Sequence, residues 1–484
     1  MGLGIHGGGL AAAQWFFKEG AEVIVTDTKD RDALSRSIHE LDEYCRRERL
    51  SHGKKKYHSI EYILGGHREK DFETADLIVR NPGVPPTSRF LAIAREKGVP
   101  IENEASLFLK LTPGLYTIGV TGTRGKSTTT SLLYQMLYAM RPGTRMGGNI
   151  ATSALFGLLD IARERNAKMG DPIVMELSSW QLESLADSHQ SPTLALMTNI
   201  YPDHLDRHTS MEEYIGAKKN IYLFQKPGER VVMNYDNAIT RELGEELGEE
   251  RVLWFSQKNP KLKKGAFVTT GHSHGGQKGE EEIHIRLHGK EERICALKDI
   301  PLPGEHMVDT VLRAAMAARW FGVPANMIAD AIAAFKGVPG RLEFLGYQKD
   351  RYVYNDTTAT TPEATRAALQ ALEKHNGSLY LIAGGSHKNL DFTELGKDIA
   401  KDVAGVVLFS GTATPHLATA IGDAGYKGPL EMANSMEEAV MKAWKMSRRD
   451  DTILLSPACA SFGMFLHEFD RGDRFIQAVK AIQK

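Results

Sequence analysis

Cysteine is scarce in this chain of 484 residues: only Cys45, Cys295 and Cys459 occur, in no paired spacing. That excludes a disulfide framework and a cysteine-ligated metal centre, and it suits a reducing compartment. An excess of either charge is missing too, because 60 Lys plus Arg nearly cancel 61 Asp plus Glu. No bulk field draws such a chain to nucleic acid or to an anionic membrane, so any anion binding falls to local patches. Apolar runs long enough to span a bilayer are absent, and the start Met1-Gly-Leu-Gly-Ile-His6 lacks the basic and apolar regions of a signal peptide. A cytoplasmic protein with neither a membrane nor a nucleic-acid partner is expected. Gly2 superficially matches a myristoylation acceptor, but a glycine turn explains it better. Length alone suggests about three domains.

The most informative stretch that is present is Thr121-Gly-Thr-Arg-Gly-Lys-Ser-Thr128, entered from the apolar run Tyr116–Val120. It reads as a strand, a glycine turn and a helix start. Gly122 and Gly125 allow the backbone close to an anion, the helix start offers unpaired N–H groups, and Lys126 adds a mobile cation. Ser127 or Thr128 can then ligate Mg²⁺ beside ATP phosphates. The strict P-loop pattern asks for glycine where this chain has Val120, yet the parts that touch phosphate remain. The bland alternative is an ordinary glycine turn with a surface lysine.

Around this unit the chain alternates strand and helix signals, which implies α/β architecture with parallel sheets. Gly2–Gly9, a helical pattern from Ala11 to Glu19 and the strand Ala21–Asp27 match a dinucleotide-type βαβ fingerprint, with only the tail of its first strand in view. Asp27 falls where ribose or base recognition usually sits. Asp76–Arg80 leads into the turn Asn81-Pro-Gly-Val-Pro85, either a simple chain reversal or a ligand contact. Further strands are expected at 173–177, 194–200, 230–234, 352–354, 379–383, 405–409 and 452–455. Between 256 and 303 the chain turns charged and glycine-rich, and reads as a hairpin excursion with one strand at 282–287. Its His272, His274 and His284 read as solvated rather than metal ligands.

Three central segments place metal-capable groups at strand ends, where α/β sheets bind ligands. Glu176 ends the strand at 173–177, Asp203, His204 and Asp206 follow the strand at 194–200, and Lys218 lies on an amphipathic helix. Read alone, these could be a helix-capping acid, a solvated loop and a surface cation.

Taken together, the segments Gly122–Thr128, Glu176-Leu-Ser-Ser-Trp-Gln-Leu-Glu183, Asp203-His-Leu-Asp-Arg-His208, Asn355-Asp-Thr-Thr-Ala-Thr360 and Leu455-Ser-Pro-Ala-Cys-Ala-Ser461 resemble the Mur ligase family, in its order and over nearly the whole chain. The last two resemble its D-glutamate-adding branch. The resemblance implies three α/β domains: a Rossmann-like UDP-substrate domain over 1–112, a P-loop-type ATPase domain over 113–338 and a Rossmann-like amino-acid domain over 339–484. It implies a monomer that adds D-glutamate to UDP-N-acetylmuramoyl-L-alanine, with ATP consumed through an acyl phosphate, in peptidoglycan precursor synthesis. The alternatives are an L-glutamate-adding relative, another amide ligase of the folylpolyglutamate-synthase type, and a silent nucleotide-binding regulator on the same scaffold.

Carried over residue by residue, Gly4, Ile5, His6 and Asp27 would hold uridine, and Asn81, Gly83 and Asn149 the diphosphate and sugar. Gly122, Thr123, Gly125, Lys126, Ser127 and Thr128 would hold ATP, with Arg341 and Asp356 clamping it. Ser127 and Glu176 would ligate one Mg²⁺, and Glu176, His204 and a CO₂-derived carbamate on Lys218 the second, with Mn²⁺ tolerated. Lys388 and Ser461 would take the glutamate. Four departures stand out. Met307 and Thr310 replace both asparagines of the pattern Gly-x-His-Asn-x-x-Asn, Gly340 replaces a histidine, Thr358 replaces a lysine, and the last aromatic is displaced before Arg471.

Overall fold

The computed structural model describes residues 1–4, 8–51, 59–150, 154–203, 208–270, 279–302, 304–373, 377–386, 390–461 and 463–482. They form two compact units, Met1–Asp299 with Val308–Ala333, and Ile300–Met307 with Ala334–Lys484. Both are α/β, as expected.

The first unit begins with two short parallel sheets: β1 (Val23–Asp27) beside β2 (Ile60–Leu64), and β3 (Ile78–Val79) beside β4 (Ile101–Glu102). The first two residues bridge them where the fingerprint calls for a strand. Gly2 N–H donates to Thr26 O at 2.7 Å, the Met1 ammonium donates to Val79 O at 3.0 Å, and Asn81 N–H donates to Met1 O at 2.9 Å. The helix Gly8–Lys18 then starts so close to that bridge that a Cβ on Gly9 would lie 2.3 Å from Gly2 O, so only glycine fits.

The rest of the unit is built on a nine-stranded sheet. Its strands are β5 (Thr117–Thr121), β6 (Arg145–Gly148), β7 (Ile173–Glu176), β8 (Leu194–Met197), β9 (Arg230–Asn234), β10 (Val252–Ser256), β11 (Gly265–Thr270), β12 (Glu281–Leu287) and β13 (Lys290–Ala296). They lie in the order β13-β12-β11-β10-β9-β8-β5-β7-β6. From β6 through β11 the pairings are parallel, and the last two are antiparallel. β5, β7 and β8 are buried throughout, as their uninterrupted apolar runs require. The chain leaves β5 towards one edge and returns to its other side at β8, so β5 is the switch point, beyond whose carboxyl end α/β sheets generally bind ligands.

The excursion at 256–303 is part of this sheet: β11, β12 and β13 extend its edge. His284 there is paired rather than simply solvated, with Nδ1 2.9 Å from a Glu291 oxygen and Nε2 3.2 Å from a Glu282 oxygen. His272 and His274 lie outside the described residues.

The second unit carries a six-stranded sheet of β14 (Glu343–Gln348), β15 (Arg351–Asn355), β16 (Leu379–Ala383), β17 (Gly405–Phe409), β18 (Leu430–Ala433) and β19 (Thr452–Leu455). Its order is β14-β15-β19-β16-β17-β18, with β14 antiparallel and the rest parallel, and helices pack apolar faces on both sides.

Inside the first unit, buried polar contacts join the short sheets to the nine-stranded one. Asn103 caps the helix Glu104–Leu111 and donates from Nδ2 to Gln181 O at 2.7 Å. Arg80, 3% exposed at the end of β3, gives two hydrogen bonds of 3.1 Å to Glu183 Oε2 and a third to Ser184 Oγ. Removing the carboxylate leaves a buried guanidinium without that partner, so Glu183→Ala is expected to cost about 3 kcal/mol in chemical denaturation. Lys18→Ala, at a half-exposed pair with Asp160, should cost less than about 1 kcal/mol in the same measurement.

Candidate active site

Sheet register brings the central segments to one place. Val120, one residue before the end of β5, sits opposite Glu176 of β7, and Gly148 of β6 also sits opposite Glu176. Thr121 pairs with Met197 of β8, which sets Thr198 and Asn199 beside the glycine turn. Thr123 N–H donates to Asn199 O at 2.9 Å, Arg124 N–H to Asn199 Oδ1 at 2.9 Å, and the Thr198 hydroxyl to Arg124 O at 2.7 Å. At Gly122, with φ +139°, a Cβ would fall 1.9 Å from Thr198 Oγ1, and Gly125 adopts φ +79° to cap the helix Lys126–Met140. Both glycines are therefore demanded by the turn itself. Ser127 is buried in the first helical turn and Thr128 is half-buried next to it.

Two lysines converge on one carbonyl. Lys126 Nζ and Lys218 Nζ each donate to Gly122 O at 3.0 Å, and Lys126 also reaches Thr123 O at 2.9 Å. Lys218, on the helix Met211–Leu223, is 1% exposed and lies 4.6 Å from the Tyr214 ring centroid. Burial, and then the Lys126 charge, hold its pKa well below the usual lysine range, with Asp203 opposing. Glu176 is 1% exposed: Oε1 accepts from Asn149 Nδ2 at 3.0 Å, while buried Oε2 has no hydrogen-bond partner among the described residues. Asn149 is thus the orienting partner of Glu176, a contact made by the register of β6 and β7 and invisible in the sequence. His204 lies outside the described residues.

The N-terminal candidates also gather. Gly4 N–H donates to Asp27 Oδ2 at 3.2 Å, and the Asn81 amide lies against the α-carbon of Gly4. Asn81 Oδ1 accepts Gly83 N–H at 3.0 Å, closing the turn after β3. Ile5 and His6 lie outside the described residues.

Three family descriptions match the chain: the Mur ligase MurD-like N-terminal domain over 1–103, the Mur ligase middle domain over 120–318, and the Mur ligase glutamate ligase domain over 340–459. The UDP-N-acetylmuramoylalanine--D-glutamate ligase of Roseiflexus sp. (strain RS-1) is 40% identical, with 99% of this chain and 97% of that protein covered. The chain belongs to the Mur ligase family. The enzyme of the same name from Borreliella burgdorferi (strain ZS7) is 34% identical, with 98% and 95% covered. The solved UDP-N-acetylmuramate-alanine ligase MurC of Thermotoga maritima shares the fold, with TM-score 0.57, 20% identity, and 95% and 99% of the two chains covered.

This Mur ligase is accordingly an ATP-using amide ligase of the kind that generally works with Mg²⁺. Its central donors fit such a hard cation: Glu176 Oε2 is a buried carboxylate oxygen left without a partner, and Ser127 presents a hydroxyl from the turn. Among the described residues no three His, Cys, Asp or Glu side chains converge.

In the glutamate ligase domain, Asp356 is buried: Oδ1 accepts Leu342 N–H at 2.9 Å, and Oδ2 accepts the Ser456 hydroxyl at 2.8 Å. Arg341 is exposed, and its charge is among the influences that oppose burial at Asp356. Gly340 and Thr358, two of the departures, depend on each other. Gly340 has φ +72°, a Cβ there would fall 2.8 Å from Thr357 Cγ2, and Gly340 O accepts both Thr358 N–H and the Thr358 hydroxyl. The hydroxyl is thereby committed to the backbone. Ser461 Oγ is buried with no hydrogen-bond partner among the described residues, and Lys388 lies outside them. Sequence reasoning passed over the role of Arg471. Fully buried, it donates to Thr357 Oγ1, Thr357 O and Cys459 O, binding the loop after β15 to the loop after β19.

Burial, the largest influence on Asp356, pushes its carboxyl up to about 7. Between about pH 4 and that value the folded protein holds a proton that the unfolded chain has lost, so this group's contribution to stability declines as pH rises through the window. Thermal unfolding from pH 5 to 8 should show wild type losing more stability than Asp356→Asn, which lacks the titrating group.

Proposed function

We propose that the chain joins D-glutamate to UDP-N-acetylmuramoyl-L-alanine, converting ATP to ADP and phosphate, as a cytoplasmic monomer in peptidoglycan precursor synthesis. The observation that carries this reading is the meeting of Lys126, Lys218 and Glu176 around the glycine turn at the sheet's switch point. The choice of substrate is supported by the full-length likeness to D-glutamate ligases.

In the first step the alanyl carboxylate attacks the γ-phosphorus, the bond to the β–γ bridging oxygen breaks, and ADP leaves. Lys126 holds the β- and γ-phosphates against the backbone N–H groups of the turn, so charge stabilisation and alignment do the work and no protein nucleophile is needed. Gly122, Thr123, Gly125, Ser127 and Thr128 shape that cradle, and Arg341 and Asp356 are read as further ATP-binding residues. Two Mg²⁺ ions, when bound through Ser127, Glu176, His204 and modified Lys218, neutralise phosphate charge, and the imidazole admits Mn²⁺ as well. Gly4, Ile5, His6 and Asp27 hold uridine, while Asn81, Gly83 and Asn149 align the sugar end. In the second step the glutamate amine, placed by Lys388 and Ser461, attacks the acyl carbon, loses a proton and expels phosphate.

Lys218 suits carbamate formation because it is the neutral amine that adds CO₂, releasing a proton, and burial beside Lys126 favours the neutral form. The adduct would set an anionic carbamate beside the Lys126 ammonium around Gly122 O. Lys218→Ala should be inactive, with partial recovery on adding formate or acetate; an active variant without any additive would sink the carbamate reading. Product formation with each glutamate enantiomer at equal concentration tests the main assignment. D-glutamate should be the faster substrate, and faster turnover of L-glutamate would reassign the chain to an L-adding relative.

A further inference from the structure

The helix Glu305–Phe321 carries Arg313, whose side chain is 2% exposed and lies against the phosphate turn. Its Nε donates to Thr129 Oγ1 at 2.6 Å and its Nη2 to Thr310 Oγ1 at 2.7 Å. The Thr129 hydroxyl in turn donates to Gly125 O at 2.7 Å, so a relay runs from guanidinium through threonine to the residue that caps the phosphate helix. Contact is direct as well, since a Cβ on Gly125 would fall 2.3 Å from Nη2. Thr310 stands at a position where the family pattern carries asparagine, and in this chain it anchors Arg313 instead.

The arrangement is electrostatically lopsided. No carboxylate among the described residues forms an ion pair with Arg313; Asp309, whose charge reaches it, accepts a hydrogen bond from Gln257 at 2.7 Å. Burial lowers its pKa only to about 10, so it stays charged at neutral pH. A buried cation with no ion-pair partner is costly unless something balances it. At this turn the anion on hand is the one the site is built to receive.

We propose that Arg313 is a positioning residue of the nucleotide site, holding the turn through Thr129 and Gly125 and lending a buried positive charge that the nucleotide's phosphates balance. The inference rests on reading 121–128 as the nucleotide turn. Because its effect is electrostatic, it should scale with phosphate charge rather than act equally on every adenine ligand.

The test is equilibrium binding of ATP, ADP and AMP to the full chain with Mg²⁺, comparing wild type, Arg313→Met, Arg313→Lys, Thr129→Val and Lys126→Ala. Arg313→Met should weaken ATP about tenfold, ADP less and AMP within about twofold, with Arg313→Lys recovering most of the ATP loss. UDP-substrate affinity should not move. Equal losses for all three nucleotides, or unchanged ATP affinity, would overturn the proposal. Should Arg313→Met fail to fold, Thr129→Val decides: it breaks the relay at nearly constant volume and should weaken ATP about threefold, whereas wild-type affinity counts against the role. Lys126→Ala separates the two readings. If it too leaves ATP binding intact, the turn is not the nucleotide site; if it weakens binding while Arg313→Met does not, only the role of Arg313 falls.

Discussion

One carbonyl oxygen organises the centre of this protein. Gly122 O accepts from both Lys126 and Lys218, while the α-carbon of the same residue packs against Thr198 too closely for any side chain. Two ammonium groups at hydrogen-bonding distance from one oxygen repel each other in a dry setting, and the structure answers by keeping Lys218 buried with a strongly depressed pKa. The result is a lysine whose neutral amine form is favoured by burial and by the neighbouring Lys126. Glu176 sits across the sheet register from this pair with one oxygen oriented by Asn149 and the other left over.

The surrounding structure makes that crowding sustainable. β5 is flanked by β7 and β8, all three fully buried, so the turn that follows β5 is fixed on both sides by strands with no freedom to slip. The short sheets that carry Gly4, Asp27 and Asn81 are tied to the same region by Arg80 with Glu183 and by Asn103 with Gln181 O. Both contacts land on the helix Ser179–Ser188, which follows the strand that ends in Glu176, so the turn proposed for the UDP end is tied to the segment next to the carboxylate proposed for the metal. In the second unit Arg471 does comparable work, joining the loop that holds Asp356 to the loop that holds Ser461.

Much of the parallel scaffold was legible because buried strands are continuous apolar runs: 173–176, 230–234, 379–383, 405–409 and 452–455 stand where the pattern put them. Strands with exposed or half-exposed faces escaped. β6, Arg145-Met-Gly-Gly148, looks like a turn because two of its four residues are glycine, and β13 is led by Lys290-Glu-Glu-Arg293. Both lie at edges of the nine-stranded sheet, where a strand need not be apolar on both faces. The charged excursion was read as a local hairpin for the same reason.

The sequence by itself determined the family and singled out the candidate phosphate turn and candidate active residues, since glycines at strained positions and charged groups ending apolar strands are local signals. Only the tertiary structure decided which of those groups meet. Lys218 is separated from Gly122 by 96 positions, yet shares its carbonyl with Lys126. The same holds for Asn149 on Glu176, for Arg313 beneath Gly125 and for the mutual fit of Gly340 and Thr358. These contacts arise from sheet register and close packing across distant segments, and no local pattern along the chain encodes the distance between two side chains.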